Sequence, residues 1–315
     1  MPAFTPTVHA LAPTPGPKLI IHGGAGSSLT GPGAKDAIRK SLHHILDTLY
    51  ARLAGGMSAL EVVIQGCQLL EDDPQFNAGT GAVLQSDGQI RLSAALMDGP
   101  AQRFSGVINA QRLKNPIQLA QHLQSQPDRI LSETGSQALT RALGLPLYDP
   151  LTPQRLQEWV EEQLHGQADG RPALTNLVTA TDQHYGTIGV VALDAAGRLA
   201  AGTSTGGKGG EYVGRVSDSA MPAGTYANTD AAISCTGIGE DIVDECLAAR
   251  LVIRVTDGFS LPAAFEKSFA EAAGRGRDLG AIGIDRRGAI AWGRTTEVIL
   301  AAYHNGEGLG DSLEG

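Results

Sequence analysis

Glycine is the residue type that most constrains this chain. It makes up 41 of 315 residues, about 13% where ordinary proteins have about 7%. The glycines do not fall into low-complexity repeats. Many of them must therefore stand where the backbone has a positive φ or approaches another group closely. Such positions are typical of small-ligand sites built from main-chain groups.

Length and composition restrict the class of protein. At about 150 residues per domain, a chain of 315 residues would hold two units, although single domains of this size are common. The chain is 42% hydrophobic and 18% charged. It has no apolar run of the roughly 18 residues that a membrane crossing needs. We therefore expect a soluble globule with no membrane partner.

Charge and cysteine content narrow the partners and the compartment. The 24 Lys and Arg against 33 Asp and Glu give a net charge of −9, which argues against nucleic acid because an acidic surface repels phosphates. Cys67, Cys235 and Cys246 are odd in number and lack CxxC spacing, which favours reduced thiols and a cytoplasmic protein. Residues 1–17 hold five prolines and no basic start, so we predict a flexible tail and not a secretory signal.

The hydrophobic pattern predicts helices in the first half of the chain and hairpins in the second. Ser58 and Glu61 form the S-x-x-E capping box of a helix that ends near Glu71. The other predicted elements are a buried strand at 18–22 entering a glycine turn at 22–26, a short strand at 82–84, helices from Pro116 and Pro153, hairpins over 187–203 and 281–303, and helices over 240–256 and after Ser260. Residues 166–186 lack a usable period, which predicts a flexible connection.

Two rival motifs overlap at 202–209. Gly202 to Gly206 matches the G-x-S-x-G of serine esterases around Ser204, with the glycines at 22–26 as an oxyanion turn and His304 as a base. The glycines after Ser204 are poor residues for the helix that such a motif requires. The same stretch fits G-x-x-x-x-G-K, but Gly209 stands where a Mg²⁺-binding hydroxyl belongs, so a P-loop is not favoured. An esterase that uses Ser204 stays open as an alternative.

A different chemistry is indicated at Gly186-Thr187, where the predicted connection meets a strand. A threonine hydroxyl is a weak nucleophile. If the chain is cut just before Thr187, however, the new α-amine is a general base already in place, with an unperturbed pKa of about 7.7–8.0. One cut would thus create both the nucleophile and its base.

Eight motifs, in one order and spacing, carry a family resemblance. They are IHGGAG at 21–26, LEDDPQFNAGTGAV at 70–83, MDG at 97–99, KNP at 114–116, GTIGVVALD at 186–194, TSTGG at 203–207, GRVSDS at 214–219 and SCTGIGE at 234–240. Together they resemble the plant-type asparaginase/isoaspartyl peptidase family of N-terminal-nucleophile hydrolases over nearly the whole chain.

The resemblance implies an α+β fold, an αββα sandwich of antiparallel sheets covered by helices. It also implies a precursor that cuts itself between Gly186 and Thr187. The product would be an α subunit of residues 18–186 and a β subunit of residues 187–315, which form one domain together. Two such pairs would associate as (αβ)₂.

The resemblance also assigns roles to residues. Thr187 would be the nucleophile and its freed amine the base, with Thr205 tuning both. Arg215 and Asp218 would bind the α-carboxylate and α-ammonium of the substrate, and their charges suit that task. The remaining assignments are oxyanion donors at Thr236 and the Gly237 amide, a substrate-ammonium contact at the Gly239 carbonyl, and support of self-cleavage and the oxyanion at Asn77, Gly23 and Gly24.

No organic cofactor is expected. The family loop that matches residues 70–80 binds Na⁺ through main-chain carbonyls. In this chain those carbonyls would belong to Leu70, Glu71, Asp73, Phe76, Ala78 and Thr80.

The activity implied is hydrolysis of L-asparagine to aspartate and ammonia, and of β-aspartyl dipeptides to aspartate and an amino acid. An uncleaved binding protein that keeps the pocket is a second alternative. The sequence departs from the family pattern at Ser217, at residues 208–212 and at residues 295–299, and these changes bear on substrate preference more than on reaction class. His22 is expected to be a core histidine and not a base.

Overall fold

The computed structural model describes residues 5–26, 34–168 and 186–313. The strands are β1 (Thr7–Leu11), β2 (Lys18–Gly26), β3 (Leu92–Asp98), β4 (Arg103–Ala110), β5 (Ile130–Leu131), β6 (Ile188–Leu193), β7 (Leu199–Thr205), β8 (Thr225–Ala227), β9 (Ala231–Gly237), β10 (Leu279–Asp285), β11 (Ile290–Arg294), β12 (Val298–His304) and β13 (Leu309–Asp311). The α-helices are α1 (Ala34–Ala54), α2 (Ala59–Asp72), α3 (Ile117–Leu123), α4 (Glu133–Ala142), α5 (Pro153–Ala168), α6 (Gly239–Glu245), α7 (Leu247–Thr256) and α8 (Leu261–Gly274).

The strands form two sheets within the described residues. One has the order β13-β12-β2-β6-β7-β3-β4-β5 and the other β1-β11-β10-β9-β8. All neighbours are antiparallel except β4 and β5. Helices α1 to α3 pack on the outer face of the larger sheet, and α7 and α8 pack on the outer face of the smaller one. The predicted αββα sandwich is confirmed.

Residues on the central strands are buried from both sides, which explains their continuous hydrophobic runs. On β2, Leu19 and Ile21 belong to the core beneath the outer helices, whereas Ile20 belongs to the core between the sheets. Successive side chains of a strand point to opposite faces, so each face must be apolar in a sheet that is covered twice. The predicted capping box also forms, because Ser58 Oγ accepts from Glu61 N while the Glu61 side chain accepts from Ser58 N.

The predicted flexible tail at 1–17 is wrong for its described part. Residues 7–11 form β1, which pairs antiparallel with β11 from Thr7 opposite Arg294 to Leu11 opposite Ile290. Val8 packs on the core of the smaller sheet, and the His9 ring stacks on Trp292 with centroids 5.4 Å apart. The prolines flank this strand without interrupting it, so they cost no sheet hydrogen bond.

The predicted glycine turn at 22–26 is also wrong, because β2 continues through these residues to Gly26. The glycines serve close packing instead. A Cβ on Gly23 would lie 2.4 Å from the Phe76 ring, and one on Gly24, where φ is +127°, would lie 2.3 Å from Gly186 N. Both distances are shorter than any real Cβ contact.

Two other predicted elements differ from the structure. Residues 82–84 are buried but form no strand. The helix predicted over 240–256 is two helices, because Cys246 has φ +47°. The amides of Ala248 and Ala249 then bond the carbonyls of Ala223 and Pro222, at 2.8 and 3.1 Å, which fixes the new direction of α7.

Helix α5 begins at Pro153 as predicted and runs to Ala168, so residues 166–168 of the predicted connection at 166–186 are helical instead. Its residues 169–185 lie outside the described part. No helix among the described residues has the length and hydropathy to cross a bilayer.

Candidate active site

Thr187 stands at the entrance of β6, between β2 and β7 in the larger sheet. Its side chain is buried, and Thr187 Oγ1 donates to Thr205 Oγ1 at 3.1 Å. Thr205 Oγ1 also accepts from Gly207 N at 3.0 Å. A hydroxyl that accepts two hydrogen bonds keeps its own proton for a third partner. The structure therefore brings the predicted pair of threonines into direct contact.

The backbone of Gly186, next to the peptide bond with Thr187, is closely packed against other residues. Gly24 lines one side, so close that a Cβ there would touch Gly186 N, and Thr236 lines another. A Cβ placed on Gly186 would lie 3.3 Å from Thr236 Oγ1, and this oxygen accepts from Ala25 N at 3.1 Å. A predicted oxyanion donor thus lies beside the peptide bond that the sequence marks for cleavage.

The end of β9 is shaped by glycine. At Gly237 φ is +124°, and a Cβ there would lie 2.7 Å from Asp278 O. The next amide, Ile238 N, bonds Asp278 O at 2.9 Å. The turn is braced further by Asp241, which accepts from Asp278 N at 2.9 Å and from Arg277 Nη1 at 2.8 Å. The backbone that would present the Gly237 amide is therefore held in place by these hydrogen bonds to residues 241 and 278.

Arg215 and Asp218 face each other across Gly239. A Cβ on Gly239 would lie 2.5 Å from Arg215 Nη2 and 2.9 Å from Asp218 Oδ1. Burial raises the pKa of the Asp218 carboxyl to about 7, although the charge of Arg215 opposes the shift. Asp218 Oδ2 is buried and makes no hydrogen bond to the described residues. Oδ2 lies beside Gly224, and Oδ1 is the oxygen that faces the space beside Gly239, where a substrate ammonium would donate to it.

Glu240 is a member of this cluster that the sequence analysis missed. Its carboxylate accepts from Arg215 Nε at 2.8 Å and from Arg215 Nη2 at 3.1 Å, and Lys208 Nζ lies 3.4 Å from Glu240 Oε1. Burial opposes ionisation of Glu240, but the hydrogen bonds and charge of Arg215 outweigh it and lower the pKa of Glu240 to about 2. The only sequence signal was its place directly after the TGIG turn.

Asn77 supports the loop that follows Thr205. Asn77 Nδ2 donates to Gly207 O at 2.7 Å, Val83 N donates to Asn77 Oδ1 at 3.0 Å, and Gly206 N donates to Asn77 O at 3.0 Å. These bonds hold the turn whose Gly207 amide contacts Thr205. Two of these three bonds therefore join Asn77 to the loop after Thr205, and the third joins it to Val83.

His22 is buried below the nucleophile in a chain of hydroxyls that the sequence analysis also missed. His22 Nε2 lies 2.9 Å from Ser234 Oγ, and Ser234 Oγ lies 2.7 Å from Thr203 Oγ1. Thr225 Oγ1 continues the chain at 2.6 Å from Thr203 Oγ1. Burial lowers the pKa of His22 to about 3, while a contact with the Thr187 main chain opposes the shift. His22 is therefore a neutral core residue at ordinary pH, as expected.

The rival nucleophile Ser204 points away from this site. Thr203 and Thr205 face the space between the sheets, so Ser204, which lies between them on β7, faces α2. It is wholly buried beside the Glu71 carboxyl, whose pKa burial raises to about 8. His304 pairs with Leu19, four positions along β2 and β6 from the level of Ser204. The structure does not bring the parts of a serine esterase together.

The loop at 70–80 is closed by Thr80 N, which donates to Glu71 O at 2.8 Å. Leu70 precedes Pro74 by four residues, so its carbonyl has no helical donor. Main-chain carbonyl oxygens suit a hard cation, but Glu71 O and Asp73 O of the predicted donor set already accept from Thr80 N and Phe76 N, at 2.8 and 3.2 Å. No cluster of His, Cys, Asp or Glu among the described residues could hold a metal.

One of the departures from the family pattern, Thr295, has a structural role. Thr295 Oγ1 donates to Arg277 O at 2.6 Å and accepts from Leu279 N at 2.9 Å, which anchors the start of β10 beside the Gly237 turn. Ser217 is buried, and its Oγ has no hydrogen-bond partner in the described residues. Thr295 is thus an anchor of this turn, and nothing in the structure explains Ser217.

Two sheets between helices, with a threonine that opens a central strand after a glycine, define an N-terminal-nucleophile type of hydrolase. The comparisons with known proteins specify the family. The family model for asparaginase matches residues 15–314, and the chain belongs to this family.

Relatives with similar sequences carry related names. A Nostoc protein named isoaspartyl peptidase/L-asparaginase is 60% identical over 301 residues, which cover 95% of each chain. A human protein of the same name is 32% identical over 271 residues, which cover 84% of this chain and 85% of its own. A plant-type L-asparaginase from Pyrococcus abyssi is 34% identical over 308 residues, 94% of this chain and 99% of its own.

Proposed function

We propose that this chain cuts itself between Gly186 and Thr187 and then hydrolyses L-asparagine and β-aspartyl dipeptides. The names of the relatives support the substrate class. The observation that carries the proposal is the contact of Thr187 Oγ1 with Thr205 Oγ1 at 3.1 Å, at the point where the Gly186 backbone lies against Thr236. It supports the proposal because a hydrogen-bonded hydroxyl stands next to the peptide bond to be broken, with Thr236 Oγ1 near the same bond.

Self-cleavage would proceed by an acyl shift. Thr187 Oγ1 attacks the Gly186 carbonyl carbon, and the amide nitrogen of Thr187 takes up a proton and leaves as an amine. Water then hydrolyses the resulting ester. The free carboxylate stays on Gly186, and both the hydroxyl and the α-amine stay on Thr187.

Substrate hydrolysis would use the same groups. The Thr187 amine takes the proton of Oγ1, and the oxygen attacks the side-chain carbonyl carbon of asparagine. The Thr236 hydroxyl and the Gly237 amide donate to the oxyanion, a contribution of about 10²–10³ in rate for one such donor. Ammonia or the amino acid leaves with that proton. Water, deprotonated by the same amine, then hydrolyses the β-aspartyl ester.

The substrate would be held as a zwitterion. Arg215 offers a planar fork to the α-carboxylate, and Asp218, whose Oδ1 faces the space beside Gly239, accepts from the α-ammonium. The Gly239 carbonyl adds a second acceptor. This arrangement selects L-amino acids whose α-carboxylate and α-ammonium are both free. It does not discriminate strongly between leaving groups.

Three further properties belong to the proposal. The two fragments associate as (αβ)₂, the enzyme acts in the cytoplasm, and Na⁺ binds the carbonyls of the 70–80 loop without taking part in the reaction. Gel filtration of the mature protein tests the assembly. Exchange of Na⁺ for tetramethylammonium, which is too large for the loop, should lower the Tm if the cation is bound.

A denaturing gel with amino-terminal sequencing tests the core of the proposal. Two bands, one starting at Thr187-Ile188, together with release of ammonia from L-asparagine, support it. Thr187→Ala should abolish both, and an active Thr187→Ala protein would refute the mechanism. A single band that hydrolyses esters until Ser204→Ala removes the activity would favour the esterase. A single inactive band would favour a binding protein.

A further inference from the structure

The two opposite charges beside Gly239, Arg215 and Asp218, could neutralise each other before a substrate binds. A zwitterionic substrate requires a cation and an anion side by side, and Arg215 and Asp218 provide them, both within 3 Å of the space that a Cβ on Gly239 would fill. Opposite charges this close and this buried attract strongly. If they paired with each other, the pocket would be internally neutralised, and substrate would have to break that pair in order to bind.

The structure shows a third charge, Glu240, in direct contact with Arg215. Arg215 directs its Nε and Nη2 atoms to the two oxygens of Glu240, at 2.8 and 3.1 Å. Among the described residues, the ion pair of Arg215 is with Glu240 and not with Asp218. The Arg215 side chain is only 12% exposed and the Glu240 side chain 52%, so Glu240 holds the guanidinium from the solvent side.

The geometry of the Arg215 guanidinium decides which of its N–H donors remain available for the substrate. Its five N–H donors form two usable edges, one made of Nε and Nη2 and the other of Nη1 and Nη2. Glu240 occupies the first edge. The second edge keeps a two-donor fork for another carboxylate. Lys208 Nζ, 3.4 Å from Glu240 Oε1, supports Glu240 from its other side.

We propose that Glu240 is the positioning residue for Arg215: it holds one edge of the guanidinium so that the other edge meets the substrate α-carboxylate and Asp218 stays free for the α-ammonium. This inference rests on the proposed function, since it concerns recognition of the same zwitterionic head. Glu240 acts through Arg215 and touches no reacting atom.

Steady-state kinetics of Glu240→Gln test the proposal. Gln keeps the size of the side chain but can accept only one of the two hydrogen bonds. We expect self-cleavage to be normal, the KM for L-asparagine to rise about tenfold, as for the loss of one charge-assisted hydrogen bond, and kcat to change by less than about threefold. Glu240→Asp, which restores the carboxylate, should recover part of the KM.

Asp244→Asn is the matched control. Asp244 lies on the same helix, is exposed and pairs with Arg277 at 2.6 Å, so the variant removes an identical charge without contact to Arg215. Its KM should equal that of the wild type. A rise similar to that of Glu240→Gln would mean that only net charge matters, and the proposal would be wrong.

A suppressor experiment distinguishes a positioning role of Glu240 from a merely structural one. The ligand 3-aminopropanamide is asparagine without its α-carboxylate, and its inhibition constant reports the Asp218 half of the pocket alone. In Glu240→Gln the released Arg215 should pair with Asp218 and weaken this ligand severalfold. Adding Arg215→Ala should restore it, because Asp218 is then free again. A defect that persists in the double variant overturns the proposal.

Two other results also overturn it: an unchanged KM in Glu240→Gln, or a block in its self-cleavage, which substrate positioning should not affect. Failure of the proposed function would look different, since the wild type itself would then not release ammonia from L-asparagine. In that case calorimetric binding of L-aspartate to the same variants still tests Glu240, because it needs no turnover.

Discussion

The pH dependence of substrate binding should follow the ionisation of Asp218. Burial raises the pKa of this carboxyl to about 7, and only the ionised form accepts from the substrate ammonium while retaining charge complementarity. Between about pH 6 and pH 8 the ionised fraction rises from about one tenth to about nine tenths, so kcat/KM for L-asparagine should rise about tenfold, since this ratio reports groups of the free enzyme.

Succinamate, which is asparagine without its ammonium, separates Asp218 from the Thr187 amine. Both substrates need the amine, so the ratio of their kcat/KM values cancels its titration. We expect the ratio of asparagine to succinamate to rise about tenfold over the same range. In Asp218→Asn it should be flat. A wild-type ratio that does not change between pH 6 and pH 8 would refute the assignment of Asp218 to the ammonium.

The raised pKa of Asp218 also lowers the stability of the fold at high pH. A carboxyl whose folded pKa lies above its unfolded value stabilises the fold at low pH and loses this contribution as pH rises through the folded pKa. The rise from 3.8 to about 7 corresponds to at most about 4 kcal/mol. Asp218→Asn should therefore raise the Tm at pH 8 and leave it nearly unchanged at pH 4, as measured by calorimetry.

Three shorter predictions concern other parts of the site and fold. Thr205→Val should keep the Tm within a few degrees but lower kcat about tenfold to a hundredfold, measured by ammonia release, because Thr187 loses its partner at 3.1 Å. Gly24→Ala should block self-cleavage on a denaturing gel, since its methyl group would lie 2.3 Å from Gly186 N, whereas Gly26→Ala, with no described atom within 4 Å, should process normally. Deletion of residues 1–11 should lower the Tm, because it exposes the β11 edge that Thr7–Leu11 covers; an unchanged Tm would show that this strand adds nothing.

Much of the site followed from residue types at fixed spacing. A Gly-Thr pair before an apolar strand, a hydroxyl at Thr205 and opposite charges at 215 and 218 are local patterns, and the structure brings these residues together around Gly239 and the start of β6. Strand alternation, once β7 is known, also decides between Thr205 and Ser204. These features were accessible because each depends on a short stretch of chain.

The parts that the sequence did not predict depend on partners far away in the chain. The prolines on both sides of residues 7–11 argue against a strand in the sequence. These residues form one because β11 offers a free edge. The break at Cys246 is set by carbonyls of the loop at 222–223. Glu240 ends the SCTGIGE motif, but an acidic residue in the first turn of a helix is ordinary, and only the fold brings it to Arg215.

The order of strands has a consequence for a chain cut before Thr187. β2, from the first fragment, lies between β6 and β12 of the second, and β1 pairs with β11. The two polypeptides are thus interleaved, and neither can leave without tearing sheets apart on both sides. Once melted, they would have to find each other by diffusion, so recovery after heating should depend on protein concentration in the mature enzyme and not in an uncut Thr187→Ala precursor.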